Sequence, residues 1–281
     1  MTDSNRTPGP WDRSDAPPAP RHEPEVEAAR RPAPTESLIK GQNPIIAVVG
    51  TGLFLAFIWF LTGSWVIAVA VIFGLLVHEY GHVLAMNKRG MGPARIFIIP
   101  FLGGVAQAQR GPKSEWDGVV ISLAGPLFGL LATIPFFALF LWNGEPIWIM
   151  AVFVICMINL INLAPAPPLD GSKALGPVLA KVHPKLELAV VFIIGLIVAS
   201  WAISRGSYIF GIFVALALFG HLKQGPRAPY GRKLSGKESG MSVGLFAVTA
   251  AACVAVAVGA VTLLTGDPVR GFGQVLRYFG I

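Results

Sequence analysis

With 281 residues, 54% of them hydrophobic and only 13% charged, the chain is too apolar for an ordinary water-soluble domain. Its formal charge of +7 does not mark a nucleic-acid binder, because the basic residues stand in short loops between apolar runs, the pattern of topology signals. Several uncharged runs approach twenty residues, the length that crosses about 30 Å of hydrocarbon as a helix, so an all-α polytopic membrane protein is expected.

Residues 1–43 form a polar tail rich in proline (Pro17-Pro18-Ala19-Pro20, Arg31-Pro32-Ala33-Pro34) and predict a disordered cytoplasmic segment with no signal-type cleavage site. Seven apolar segments follow, at 44–62, 65–86, 117–142, 147–166, 187–204, 207–222 and 241–265, giving about six to seven transmembrane helices. The fifth and sixth are joined by Arg205-Gly206-Ser207 and read as a tight helical hairpin, with one bent helix as the alternative. Gly125-Pro126 reads as a kink or close-packing point. Cys156 and Cys253 lie inside apolar segments without CxxC spacing and read as small buried hydrophobes. Residues 266–281 carry Phe272, Val275, Leu276 and Phe279 at helical spacing, as expected of a short helix on the membrane surface. Thirteen Lys and Arg, from Lys88 to Lys237, fall in the loops that share a side with the tail, and only Arg205, Arg270 and Arg277 fall opposite. The positive-inside rule therefore places the N-terminus in the cytoplasm, in a cell membrane.

His78-Glu79-Tyr80-Gly81-His82 lies inside the second segment, near its cytoplasmic end. Two histidines one turn apart on a helix face can bind one Zn²⁺, with the Glu between them free to act as general base. Three ionisable groups in an apolar helix are costly unless they face a cavity and bind something. Catalytic zinc usually takes a third protein ligand. Most acids beyond the tail suit local roles that need no metal: Ser114-Glu115-Trp116-Asp117 reads as an N-cap with first-turn acids, and Glu187 suits a helix start. His221 suits a helix end. Asp170 remains, behind the proline-broken stretch Asn162 to Leu169, and irregular backbone at membrane depth must line protein or a water-filled cavity. A loop Asp capping the next turn is the structural alternative.

His78-Glu79-Tyr80-Gly81-His82 together with Asn162-Leu163-Ala164-Pro165-Ala166-Pro167-Pro168-Leu169-Asp170-Gly171 resembles the paired HExGH and NxxPxPxLDG signatures of the site-2 protease family, intramembrane zinc metalloproteases of the M50 type. The resemblance extends to Gly103-Gly104 and Ala124-Gly125-Pro126-Leu127 and covers about residues 65–175, a catalytic core within a 44–265 protease domain. It implies that His78, His82 and Asp170 bind one Zn²⁺ per chain, that Glu79 is the base, and that Asn162 lines the site and helps polarise the scissile carbonyl. The implied activity is endoproteolysis of a membrane-embedded helix, with a transmembrane protein as substrate and the lipid bilayer as surroundings. Gly129 stands where members often carry Asn, and Ser172 where a second Gly often follows. No inserted PDZ or appended nucleotide-binding stretch is expected. A metal transporter using the same residues is the rival from another class, and clustering of the ionisable groups at one depth argues against it. A non-catalytic helix-binding relative is the second rival, and the intact HExxH argues against that. Oligomeric state and substrate identity are not encoded legibly. Ile96 to Pro100 and Val105 to Gln109, around Phe101 to Gly104, predict a membrane-associated β-hairpin whose edge could take an unwound substrate as a further strand.

Overall fold

The computed structural model describes residues 42–99, 103–206, 208–224 and 231–278. The predicted disorder of the tail lies outside these residues except for Gln42 and Asn43. Asn43 caps the first helix, α1 (Pro44–Thr62), its side chain accepting from the Ile45 N–H, and Gly63 ends it in the left-handed conformation at φ 65°. Ser64 caps α2 (Trp65–Lys88), which carries the HEYGH stretch. After it come two short strands, β1 (Arg95–Ile99) and β2 (Gly103–Gln107), paired antiparallel with Phe97 opposite Val105. The predicted hairpin is present, but Gly103 and Gly104 belong to β2, and Pro100 to Leu102 lie outside the described residues.

The third apolar segment is two helices. Pro126 sits inside α3 (Glu115–Leu131), which runs through it, and the break comes at Ala132-Thr133 before α4 (Ile134–Asn143). Pro135 has no N–H to offer the Leu131 carbonyl, so the chain tightens there, with the Thr133 N–H and hydroxyl both donating to the Leu130 carbonyl. Next is α5 (Pro146–Asn162), whose 17 residues span about 25 Å, short of a 30 Å hydrocarbon core. Residues 163–169 then run without regular structure, as three prolines require. They lead into α6 (Asp170–Val182), an amphipathic helix too polar to register as an apolar segment. The fifth and sixth segments are α7 (Pro184–Ser204) and α8 (Tyr208–Gln224), joined by a turn at Arg205-Gly206 and packed side by side, so the hairpin reading holds. The last elements are α9 (Gly236–Thr265) and α10 (Pro268–Tyr278).

Among the described residues five helical stretches are long and apolar enough to cross a membrane, and the shorter apolar helices 146–162 and 210–223 complete the seven segments. The protein is a multi-pass membrane protein, mainly helical with one small sheet. Its main core gathers α2, α4, α5 and α9 around Ile67, Val71, Phe136, Ile149, Phe153 and Val261, with Cys156 fully buried as the sequence suggested. A second cluster joins α3, α6 and α9 through Val119, Leu123, Ala174 and Cys253. α1, by contrast, exposes Ile45, Val48, Trp59 and Phe60, as a helix bathed in lipid can.

The polar ends are tied across the sequence. Ser114 and Asp117 form a reciprocal capping box at the start of α3, and Arg89 donates to Asp117 at 3.1 Å. The Glu115 carboxylate accepts from the Leu234 N–H at 2.9 Å, and Lys181 on α6 donates to the Leu234 carbonyl at 3.0 Å. Glu115 and Asp117 are thus first-turn acids, as their spacing from Ser114 suggested, and both also bind distant chain.

Candidate metal centre

One glycine on each helix lets α2 and α3 cross closely. A Cβ on Gly81 would lie 2.5 Å from the Ala124 carbonyl oxygen and 2.8 Å from the Phe128 Cβ, and one on Gly125 would collide with the imidazole of His82 and lie 2.6 Å from the Nε2 of His78. Gly125 is therefore a close-packing point, pressed directly on the histidines. At the far side, a Cβ on Gly171 would meet the Leu163 carbonyl, so the proline loop folds back tightly enough to bring Asp170 to the same place. Ser172 fits there because its hydroxyl turns back to donate to the Leu169 carbonyl at 2.7 Å.

The result is a triangle. Asp170 Oδ2 lies 3.0 Å from the Nε2 of His78 and 3.2 Å from that of His82, and the two Nε2 atoms are 3.2 Å apart. All three side chains are buried. Asp170 is the first residue of α6, yet its carboxylate Oδ2 faces the two imidazoles rather than the N–H groups of its own helix.

The other ring nitrogens decide the chemistry. His78 Nδ1 is 2.8 Å from the Asn159 side-chain oxygen, and His82 Nδ1 is 2.7 Å from the Ile121 carbonyl. Both partners are pure acceptors; the Asn159 orientation is fixed because its NH₂ donates to the Ile155 carbonyl at 2.9 Å. Each Nδ1 therefore carries a proton, and in the neutral imidazole each Nε2 is then a bare lone pair directed at the other and at a carboxylate. Three acceptors with no donor between them repel one another in a buried site unless a cation lies among them. Two ligand atoms at tetrahedral angles around one Zn²⁺ stand about 3.3 Å apart. The observed 3.0–3.2 Å edges fit that donor set.

Glu79 turns the other way, toward the hairpin, where its Oε2 accepts from the Ala106 N–H at 2.8 Å. Gly104 permits this approach, since a Cβ there would be 2.6 Å from the Glu79 Cγ. His78, Glu79 and His82 together form a group whose ligand atoms lie within 4.8 Å of one another. Asn162 is half-buried on the last turn of α5, and its side chain bonds the Ile158 carbonyl at 3.2 Å rather than the triangle. The amide that does reach the histidines is Asn159, which motif spacing alone does not single out. A signal existed: Asn159 and Asn162 are the only amide side chains in α5.

A buried His-His-Asp donor set between crossed membrane helices defines a candidate membrane metalloenzyme. Residues 66–146 match the family described as Peptidase family M50. A zinc metalloprotease of Methanocaldococcus jannaschii is 31% identical over 130 residues, covering 44% of this chain and 37% of that protein. Stage IV sporulation protein FB of Bacillus subtilis is 24% identical over 187 residues, covering 58% of this chain and 61% of its own length. The chain thus spans between about a third and three fifths of these relatives' lengths. The match of residues 66–146 to peptidase family M50 bears out the resemblance to site-2 proteases.

Proposed function

We propose that this protein is a zinc-dependent endopeptidase that hydrolyses a peptide bond in a membrane-embedded substrate helix, with His78, His82 and Asp170 holding the metal. The observation that carries the reading is the convergence of two imidazole Nε2 atoms and one carboxylate oxygen, all on buried side chains and within 3.0–3.2 Å of one another. When bound there, Zn²⁺ supplies Lewis-acid polarisation of the scissile carbonyl and acidifies attacking water. Glu79 accepts the proton of the attacking water and passes it to the leaving amine, and the Ala106 N–H orients its carboxylate meanwhile. Asn162, at the end of α5, takes the carbonyl-polarising role that the family resemblance gives it.

A substrate helix hides its carbonyls in i to i−4 hydrogen bonds and must unwind before any of them can react. The free edge of β2 can receive the unwound segment. Gln42 reaches β1 from outside, donating to the Ile98 carbonyl at 2.9 Å and accepting from its N–H at 2.8 Å, so Ile98 faces away from β2. Its partner Gly104, and Ala106 two residues on, then turn their backbone groups toward the free edge, while Val105 pairs inward with Phe97. The docking edge is the Gly104 backbone and the Ala106 carbonyl, beside Glu79, whose carboxylate holds the Ala106 N–H.

The same reading keeps the N-terminus and the 88–114 and 223–237 loops cytoplasmic, on the weight of basic residues. Comparison of membranes containing the protein with membranes containing Glu79→Gln, by mass spectrometry of helix fragments, tests the activity. A fragment that appears with both proteins, or with neither, overturns it.

A further inference from the structure

We infer that Asn159 is a positioning residue for the metal ligand His78, its carboxamide oxygen fixing the tautomer and ring angle that direct Nε2 at the metal; this rests on the metal-binding reading above. The two histidines are oriented differently. His82 is held by the Ile121 main-chain carbonyl, which α3 supplies whatever the side chain, whereas His78 depends on one replaceable side chain from α5.

Asn159 has little freedom to do anything else. It is 1% exposed, its NH₂ is committed to the Ile155 carbonyl at 2.9 Å, and its amide fills the space over Gly129, where a Cβ would collide with both terminal atoms and lie 2.6 Å from Cγ. The small residue at 129 thus has a local reason: it leaves room on α3 for an amide arriving from α5. Without an acceptor at Nδ1 the imidazole loses its preference for the Nδ1–H tautomer, and a proton on Nε2 blocks ligation. Removing such an outer partner typically weakens metal binding about 10–100-fold.

Chelator competition on the purified protein in detergent measures this directly, with Zn²⁺ for affinity and Co²⁺ for its visible absorption. Asn159→Leu, similar in size but without an acceptor, should bind Zn²⁺ about 10–100-fold more weakly and shift the Co²⁺ spectrum. Asn159→Asp keeps an oxygen facing Nδ1 and should restore affinity to within about threefold, which a merely space-filling role would not require. Should Asn159→Leu fail to fold, Gly129→Ala carries the test, since its Cβ displaces the same amide; the same loss is expected. Wild-type affinity and spectrum in Asn159→Leu, or in Gly129→Ala where that variant carries the test, would overturn the inference, as would an Asn159→Asp as weak as the Leu variant. If the wild-type protein takes up no stoichiometric Zn²⁺, the functional reading falls and this inference with it; if it does and the Asn159 variants match it, only the inference falls.

Discussion

Two histidine–carboxylate clusters lie among the described residues, and they differ in how many groups converge. In the first, His78 and His82 each spend Nδ1 on a protein acceptor and turn Nε2 toward Asp170 Oδ2, so three potential ligand atoms face one point. In the second, His221 near the end of α8 stands 3.1 Å from Glu187 at the start of α7, close enough to pair as ions though not aligned as a hydrogen bond. That contact is a single imidazole against a single carboxylate, and it joins two neighbouring helices. Residue type is shared by both clusters. What separates a candidate metal site from a structural pair is the number of ligand atoms that converge on one point.

That contrast breaks most sharply on metal content and cleavage together. His78→Ala, His82→Ala and Asp170→Ala should each lose stoichiometric zinc, measured by metal analysis of purified protein. Glu79→Gln should keep it while cleavage falls by roughly 10²–10⁴-fold, the range of a general base. Full zinc in Asp170→Ala would remove it from the ligand set. Glu187→Gln should keep both zinc and cleavage, and zinc loss there would erase the distinction between the clusters.

The next effect in size comes from the glycine crossing. Gly125→Ala inserts a methyl against both imidazoles, so zinc affinity should drop at least about tenfold, comparable to the loss of an outer-sphere partner, with helical circular dichroism retained. Unchanged affinity would show that α2 and α3 separate readily and that the triangle is not held by their contact.

Smaller and more selective is the hairpin edge. Ala106→Pro removes the outward N–H that also holds the Glu79 carboxylate, so it should reduce cleavage of a helical substrate with zinc content unchanged. Val105→Pro removes an inward N–H, so it should lower the stability of the hairpin instead. Equal cleavage by Ala106→Pro and wild type would rule out strand addition. Gly111 is exposed with open space around it, so Gly111→Cys is a topology probe in a background without Cys156 and Cys253. It should resist an impermeant thiol reagent added outside intact cells, and ready labelling would reverse the orientation. The smallest change expected is in stability: Glu187→Gln leaves a bare imidazole beside a neutral amide and should cost about 1–3 kcal/mol, read from thermal unfolding in detergent.

The sequence by itself determined the seven apolar segments, the placing of His78 and His82 on one helix face, the proline break after Asn162 and the candidacy of Asp170. These follow from hydropathy, from the 3.6-residue period and from proline's missing N–H, all of which act over a few residues. Only the tertiary structure decided that Asn159 rather than Asn162 bonds His78, that Gly81 and Gly125 set the crossing of α2 and α3, that Gly104 and Ala106 face the free edge, and that Glu187 meets His221. Those contacts join residues between 27 and 81 positions apart at sites such as Ala106–Glu79 and His78–Asn159. No local periodicity encodes them, because which turn of one helix faces which turn of another depends on where side chains are small enough to let the backbones approach. The third segment shows the same limit from the other side: Pro126 is the more conspicuous breaker in the sequence, but α3 continues through it and bends instead ahead of Pro135, where Thr133 can take up the slack with its own hydroxyl.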